Sequence, residues 1–447
     1  MEKNLTTGSV LKNVLLFCLP YLLSYFLQTL YGMADLFIIG QFEGVASTTA
    51  VSVGSQVMHM LTVMLVGLAM GTTVNIAQAV GAGDRRRTSQ VIGNTILLFM
   101  GISVALVIIL LASVRGIVAI ISTPEEAVEG TVQYLTICFI GIPFITAYNI
   151  ISSIFRGMGD SKSPMYFIAV ACFCNIVLDY IFMGALHLGP AGAALGTTLS
   201  QAISVILSLS VIIGQKSISL SKADFKPSRR VMRSILHVGI PITVQDGLIQ
   251  VAFIIITIIA NRRGLNDAAA VGIVEKVISF IFLVPSSMLS TVSALGAQNI
   301  GAGKPERAVQ TLRYAIMLAV GFGLCVAILV QFTSESIVAL FTDASTESGA
   351  AVVTLGGQYI RGYIWDCLFA GIHFSFSGYF CACDKSILSF IHNIAAIVLV
   401  RIPGVYMTSK LFPDTLFPMG LATSMGSLLS VIICVVAFTM IRKKAAR

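Results

Sequence analysis

The chain has 447 residues, of which 56% are hydrophobic and only 11% charged, and its mean hydropathy is +0.93. These values lie far outside the range of soluble domains and indicate an integral membrane protein. The net charge of +8 would suit a nucleic-acid partner only if Lys and Arg formed one patch, and they are spread along the chain instead.

Apolar runs long enough to cross a bilayer follow one another along the whole chain. A hydrocarbon core about 30 Å thick needs roughly 20 apolar residues per helix. The pattern predicts an all-α integral membrane protein with twelve transmembrane helices and no soluble domain. The first run lacks an A-x-A-like cleavage site, so it is predicted to be a retained helix and not a signal peptide. The predicted spans are 10–39, 45–80, 90–115, 127–157, 163–186, 190–214, 232–262, 267–300, 307–332, 350–381, 387–410 and 417–441.

Lys and Arg are concentrated in alternate loops and in the two tails. With the N-terminus inside, most of the 28 Lys and Arg residues fall on the cytoplasmic side, among them Lys3, Lys216 and Arg447. The outer loops hold Arg115, Arg262, Arg263 and Lys410. The positive-inside rule therefore predicts a multi-pass protein of the cell membrane with both termini cytoplasmic.

An internal repeat divides the chain. AQAVGAGDRRRTSQ at 77–90 aligns with AQNIGAGKPERAVQ at 297–310, and FCLPYLL around Pro20 aligns with VGIPITV around Pro241. FRGMGDSKSP, which begins at residue 155, has its counterpart in YFCACDKSIL. Neither Gly-Ala-Gly follows a strand or ends in GKS/T, so both are predicted to be tight turns and not phosphate loops.

The repeat predicts two six-helix lobes. The predicted N-lobe is 1–214, the cytoplasmic linker 215–233 and the C-lobe 234–447. Because both halves enter from the same side, a pseudo-two-fold axis along the membrane normal would relate them. Transporters built in this way bind substrate between the halves and alternate their access. A duplicated channel or membrane enzyme is the alternative.

Ionisable residues inside the spans are unevenly distributed, and such residues usually mark ion or substrate pathways. The acids are Asp35, Asp179, Asp246, Glu275 and Asp366, and the bases are Lys276, Arg361 and Arg401. All three bases belong to the C-terminal half, where a neutral ion-pair network is predicted. Apart from basic residues at the span ends, which are counted with the loops, the N-terminal spans hold no Lys or Arg to pair with Asp35 and Asp179, so another positive group must neutralise them.

Polar neighbours accompany the two N-terminal acids. Tyr31 lies one helical turn from Asp35, and Asn175 lies one turn from Asp179. Thr197 lies shortly inside the sixth span, also in the predicted outer half of the membrane. These oxygens could hold a small hard cation such as Na⁺, or the carboxyls could bind protons. Hydrogen bonding to neighbouring helices is a third, purely structural explanation.

The order and spacing of these motifs, with YGMADLFIIG at 31–40, resemble the multidrug and toxic compound extrusion (MATE) family of cation-coupled efflux transporters. The resemblance covers essentially the whole chain. In one branch of the family, a first-helix Asp, an Asn and Asp in the fifth helix and a Thr in the sixth form a cation site. The resemblance therefore implies a cation or Na⁺ site of Asp35, Asn175, Asp179 and Thr197. Tyr31 and Asn149 match further polar positions, and Pro20 matches a proline at which the first helix bends.

A second branch of the family uses a seventh-helix Glu and a tenth-helix Asp in the C-lobe. Here the seventh span offers Gln245, Asp246 and Gln250, and Asp366 lies about one turn from the expected place. A coupling site in the C-lobe is therefore not predicted. These four residues and Asn149 are candidates for contact with a cationic substrate.

The predicted function is secondary-active multidrug export, in which organic, aromatic cations are antiported against Na⁺ or H⁺. The predicted partners are the lipid bilayer and small organic cations, the coupling ion serves in place of a cofactor, and the protein is predicted to be a monomer. A flippase for a lipid-linked or polyanionic substrate is the alternative, and it predicts a cationic groove. An enzyme is not predicted, because HExxH and GxSxG are absent from the spans.

Overall fold

The computed structural model describes residues 4–215 and 220–445, and within these ranges the chain is helical with no strand. Lys3, Lys216, Arg447 and part of the predicted linker lie outside the described residues. The helices are α1 Val10–Phe42, α2 Val45–Gly81, α3 Arg85–Ile120, α4 Glu125–Ile140, α5 Ile142–Gly157, α6 Lys162–Asp179, α7 Gly189–Gln215, α8 Arg229–Asn261, α9 Leu265–Ile281, α10 Leu283–Gly301, α11 Pro305–Ala339, α12 Glu347–Tyr363, α13 Trp365–Ala382, α14 Ile387–Ala396, α15 Ile402–Leu411 and α16 Phe417–Ala445.

The helices agree with the predicted membrane spans. Among the described residues, ten helical segments are long and apolar enough to cross a bilayer, and the bent pair α4–α5 makes an eleventh. The predicted span 350–381 corresponds to α12 and α13, which carry Arg361 and Asp366 and are not among those eleven. The prediction of an all-α integral membrane protein is confirmed.

Several spans depart from a regular α-helix. The span predicted at 127–157 is two helices, which meet at Gly141 and are bent by 49°. Pro143 stands in the first turn of α5, where its missing N–H leaves no helical hydrogen bond unmade. Two stretches are π-helical, Tyr180–Ala185 directly after α6 and Ile397–Arg401 between α14 and α15. Such turns occur often at functional sites.

Both copies of the repeated Gly-Ala-Gly form tight turns, as predicted. Gly83 follows α2 with φ +69°, and Gly303 follows α10 with φ +70°. Only glycine adopts this left-handed backbone without strain. Asp84 then caps α3, because its side chain accepts a hydrogen bond of 2.9 Å from the backbone N–H of Arg87.

The chain divides into two compact units. Unit 1 comprises Met1–Thr6, Leu15–Thr243 and Gly301–Gly303, and unit 2 comprises Thr7–Val14, Val244–Ile300 and Lys304–Arg447. The division falls inside α8, after Thr243. The lobes predicted from the repeat, with a linker at 215–233, remain a prediction, because these units are defined by packing and not by sequence similarity.

Each unit has an apolar core of its own. In unit 1, buried side chains of α1, α2, α4, α5 and α7 pack together, among them Ile38, Ile39, Tyr134 and Phe139. In unit 2, buried side chains of α9, α12 and α16 form the core, including Tyr359. Polar groups buried within these cores are therefore far from bulk water and need partners.

Arg263, in the turn between α8 and α9, holds together the end of unit 2 that contains the α15–α16 loop. Its Nε donates to Asp267 over 3.0 Å. Its two terminal nitrogens donate to four backbone carbonyls, those of Ser409, Phe412, Pro413 and Thr415, over 2.7–3.3 Å. The planar guanidinium is the side chain that can satisfy this many acceptors at once.

Replacing Arg263 by Ala should lower the free energy of unfolding. The loss should be no smaller than the contribution of one charged hydrogen bond, which is about 1.5–3 kcal/mol. Arg263→Lys should recover only part of this, since an ammonium cannot reach all the acceptors. Arg115→Ala is the matched control, because the Arg115–Glu129 pair is exposed and is worth about 0–1 kcal/mol. Thermal unfolding in detergent measures all three, and equal losses for Arg263→Ala and Arg115→Ala would contradict the assignment.

Candidate functional site

Asp35 is buried in unit 1, on α1, with 2% of its surface exposed. The hydroxyl of Thr197, on α7, donates a hydrogen bond of 3.1 Å to Asp35 Oδ2. The other oxygen, Oδ1, has no hydrogen-bond partner. One donor satisfies only part of a carboxylate, which has about four acceptor positions.

Asp179 lies beside Asp35 and is fully buried, at 0% exposure. It is the last residue of α6, where the helix passes into the π-helical turn. The two carboxyls are close enough to interact directly. Neither oxygen of Asp179 makes a hydrogen bond, although both are buried. Two carboxyl groups are thus buried side by side.

Asn175 completes the cluster, one turn before Asp179 on the same face of α6. Its amide is close enough to Asp35 to interact with it, yet neither its oxygen nor its nitrogen reaches hydrogen-bond geometry. The structure therefore brings together the four residues predicted to form the cation site. It leaves five of their buried polar atoms without a partner: Asp35 Oδ1, both oxygens of Asp179, and the oxygen and nitrogen of the Asn175 amide.

No built-in cation neutralises this site in the part of the chain that the structure describes. The ion pairs found there involve neither Asp35 nor Asp179. Arg156, on α5, is buried in the same unit, but it stacks on the ring of Tyr21 at 4.0 Å and donates to the Tyr21 hydroxyl over 3.0 Å. Four of the five unpartnered atoms are oxygens, the ligand type that hard cations prefer.

Two further residues were predicted for this region, Tyr31 and Asn149, and only Tyr31 interacts with the acidic pair. Tyr31 is half-buried and interacts with the charge of Asp35, as its spacing predicted. Asn149 is buried on α5, and its amide donates to the Ile145 carbonyl of its own helix over 2.8 Å. The structure therefore does not join Asn149 to the acidic pair.

Pro20 lies inside α1, which continues through it as a single helix. Its carbonyl accepts a hydrogen bond of 2.9 Å from the hydroxyl of Ser24. The next residue, Tyr21, is the ring that Arg156 covers. The part of α1 around Pro20 is thus fixed to α5, whereas Asp35 lies four turns further along the helix. The bending of α1 at Pro20 remains a prediction.

The acids of unit 2 are arranged in another way. Asp366 is fully buried and accepts a hydrogen bond of 2.8 Å from Arg401, which also donates to the Ser427 hydroxyl over 2.9 Å. Arg401 ends the π-helical stretch between α14 and α15. Asp366 therefore already has a positive partner within the protein.

Of the six residues in the predicted ion-pair network, only Asp366 and Arg401 form an ion pair with each other in the part of the chain that the structure describes. Arg361 pairs with Glu335 at 3.6 Å, because both lie where α11 packs on α12. Glu275 instead accepts a hydrogen bond of 3.3 Å from Thr257, and the Lys276 side chain is exposed. Sequence counting finds charges within a span but cannot say on which helix face each partner lies.

The three candidate substrate-contact residues on α8 lie close in sequence and differ in burial. Gln245 is buried and donates to Asp246 Oδ1 over 3.4 Å. Asp246 and Gln250 are half-buried. Their predicted contact with a cationic substrate remains a prediction.

Comparison with known proteins adds an independent line of evidence. The family model described as MatE matches residues 20–181 and 241–407. The two matched segments begin at Pro20 and Pro241, the prolines aligned by the internal repeat.

Curated relatives match most of the chain. The probable multidrug resistance protein YpnP of Bacillus subtilis is 27% identical over 398 residues, covering 89% of this chain and 88% of its own. The multidrug export protein MepA of Staphylococcus haemolyticus is 26% identical over 410 residues, covering 91% and 88%. A crystal structure of MATE in complex with MaL6 superposes with a TM-score of 0.91 at 22% identity, covering 99% of this chain and 98% of the other, and this likeness concerns the fold.

Proposed function

Because this chain belongs to the MatE family, a family with multidrug efflux transporters among its members, we propose that it is a secondary-active exporter driven by Na⁺ or H⁺. Its substrates are small organic, aromatic cations, and it works by alternating access in the cell membrane. One observation supports the ion coupling above all: Asp35 and Asp179 are buried side by side, and neither forms an ion pair with a basic residue in the described part of the chain.

The energetic argument starts from the two carboxylates. Burying ionised carboxylates without a counter-charge is strongly unfavourable, and two of them in one pocket repel each other. The doubly ionised site is therefore disfavoured while it is shielded from water. A proton on a carboxyl, or a cation held by its oxygens, removes the penalty.

Transport follows if ion binding and conformation are linked. A site that opens to water in one conformation and closes in another binds its ion with different affinity in the two. By reciprocity, the bound ion then favours one conformation. An organic cation that competes for the same negative charge would favour the other conformation. Alternation between the two conformations then exchanges the organic cation for the ion.

The test uses the purified protein in liposomes, with ethidium as the transported cation. A Na⁺ gradient at equal pH and a pH gradient without Na⁺ are imposed separately, and ethidium movement is followed by fluorescence. At least one gradient should drive transport against the ethidium gradient, and collapsing that gradient should stop it. If neither gradient drives transport above protein-free liposomes, the proposal is wrong.

A further inference from the structure

Gly196, on α7, directly faces the Asp179 carboxyl. It is buried, and a Cβ built on it would overlap Asp179 Oδ1 and lie 3.6 Å from Asn175 Nδ2. The Asp179 carboxyl thus occupies the space that any other residue at position 196 would fill. Glycine is the residue that permits this approach of a side chain to a helix backbone.

This contact matters because no hydrogen bond in the described residues holds the Asp179 carboxyl. Both of its oxygens lack hydrogen-bond partners. Its position is therefore set by its own backbone and by the surface of α7 that it packs against. Gly196 supplies that surface.

The next residue along α7, Thr197, contacts the other acid, Asp35. Thr197 donates its hydroxyl to Asp35. Adjacent residues of one helix thus position both carboxyls, the first by leaving room and the second by a hydrogen bond. The distance between the two acids depends on this part of α7.

We propose that Gly196 is a positioning residue of the coupling-ion site, which sets the spacing between Asp35 and Asp179 and thereby the affinity for the ion. The inference rests on the proposed function. A methyl group at position 196 must push the Asp179 carboxyl away by a distance on the order of 1 Å, since overlapping atoms cannot coexist. An ion bound by several groups at once does not tolerate such a shift.

The test compares Gly196→Ala with Gly101→Ala in the liposome assay. Gly101 is the matched control, because it lies within α3 and a Cβ there would meet nothing within 4 Å. Transport is measured while Na⁺ is varied at fixed pH and while pH is varied without Na⁺. Gly196→Ala should weaken the apparent affinity for the driving ion by about 10–100-fold, the range seen when groups that orient ion ligands are changed. Gly101→Ala should leave it unchanged.

A stability cycle covers the case in which Gly196→Ala unfolds the protein. Asp179→Ala removes the carboxyl that the new methyl would meet. Gly196→Ala should therefore lower the melting temperature of the wild type but not that of Asp179→Ala. An equal loss in both backgrounds, or an unchanged ion affinity in a folded Gly196→Ala protein, would overturn the inference.

This result can be separated from a failure of the proposed function. If Asp35→Asn and Asp179→Asn alter ion dependence but Gly196→Ala does not, only the role of Gly196 is wrong. If none of the acidic variants alters it, the coupling site itself is wrong, whatever Gly196→Ala does.

Discussion

Asp35→Asn and Asp179→Asn should each strongly weaken transport driven by an ion gradient. Each substitution removes one of the two negative charges at the site, where the described residues provide no charged ligand besides these two acids. A polar contact with a charged group contributes about 1.5–3 kcal/mol. Losing one such contact between the carboxylate and the ion should therefore lower the apparent ion affinity by roughly 10–150-fold. Ethidium transport under imposed Na⁺ and pH gradients measures the loss.

The same variants should not destabilise the protein. Asn is similar in size to Asp and carries no charge, so the repulsion between two buried carboxylates disappears. The melting temperature of both variants should therefore equal or exceed that of the wild type. A variant that is folded and stable but no longer coupled to the ion identifies a functional role for the acid. Replacing a merely structural acid would instead lower the melting temperature and leave the ion dependence unchanged.

Thr197→Val serves as a graded comparison, since it removes the one hydrogen bond to Asp35 and keeps the shape of the side chain. We expect a loss of ion affinity of about tenfold, within the range of a single charged hydrogen bond. Glu126→Gln, at an exposed position of α4, is the control for loss of a negative charge elsewhere. Should both Asp variants keep wild-type ion dependence, the assignment of the site would fail.

The pairing of Asn175 with Asp179 could be predicted from sequence because the signal is local and chemical. Asn175 and Asp179 are four residues apart, and that spacing alone places them on one face of α6. The absence of Lys or Arg from the interior of the N-terminal spans, away from their ends, could be counted directly. That Asp35 meets Asp179 across two helices was predictable only through the resemblance to the family, because no local pattern encodes which helix faces pack together.

Other features followed from packing and were missed. The break between α4 and α5 had a signal, since Gly141 and Pro143 form a helix-breaking pair. The burial of Arg156 had none, because a basic residue near a predicted loop is ordinarily solvated. Gly196 was missed because a glycine inside an apolar helix is common, and its importance appears only when the position of the Asp179 carboxyl is known.

Asp366 and Arg401 allow the two units to be contrasted experimentally. Replacing either residue alone, in Asp366→Leu or Arg401→Met, leaves its partner buried and unpaired, which is expected to destabilise the protein by about 3–5 kcal/mol. The double variant removes both charges and should recover most of that loss, because a hydrophobic pair often replaces a buried ion pair without penalty. Thermal unfolding of the four proteins gives the coupling energy directly.

Transport by the same double variant tests what the pair does. Arg401 is a tethered positive charge that stays with Asp366, so the pair needs no ion from solution. The double variant should therefore keep the wild-type dependence on Na⁺ or pH, in contrast to Asp35→Asn and Asp179→Asn. If the double variant lost ion coupling while remaining folded, Asp366 would be a second coupling site. The acids Asp35 and Asp179 would then not by themselves account for the dependence of transport on the ion.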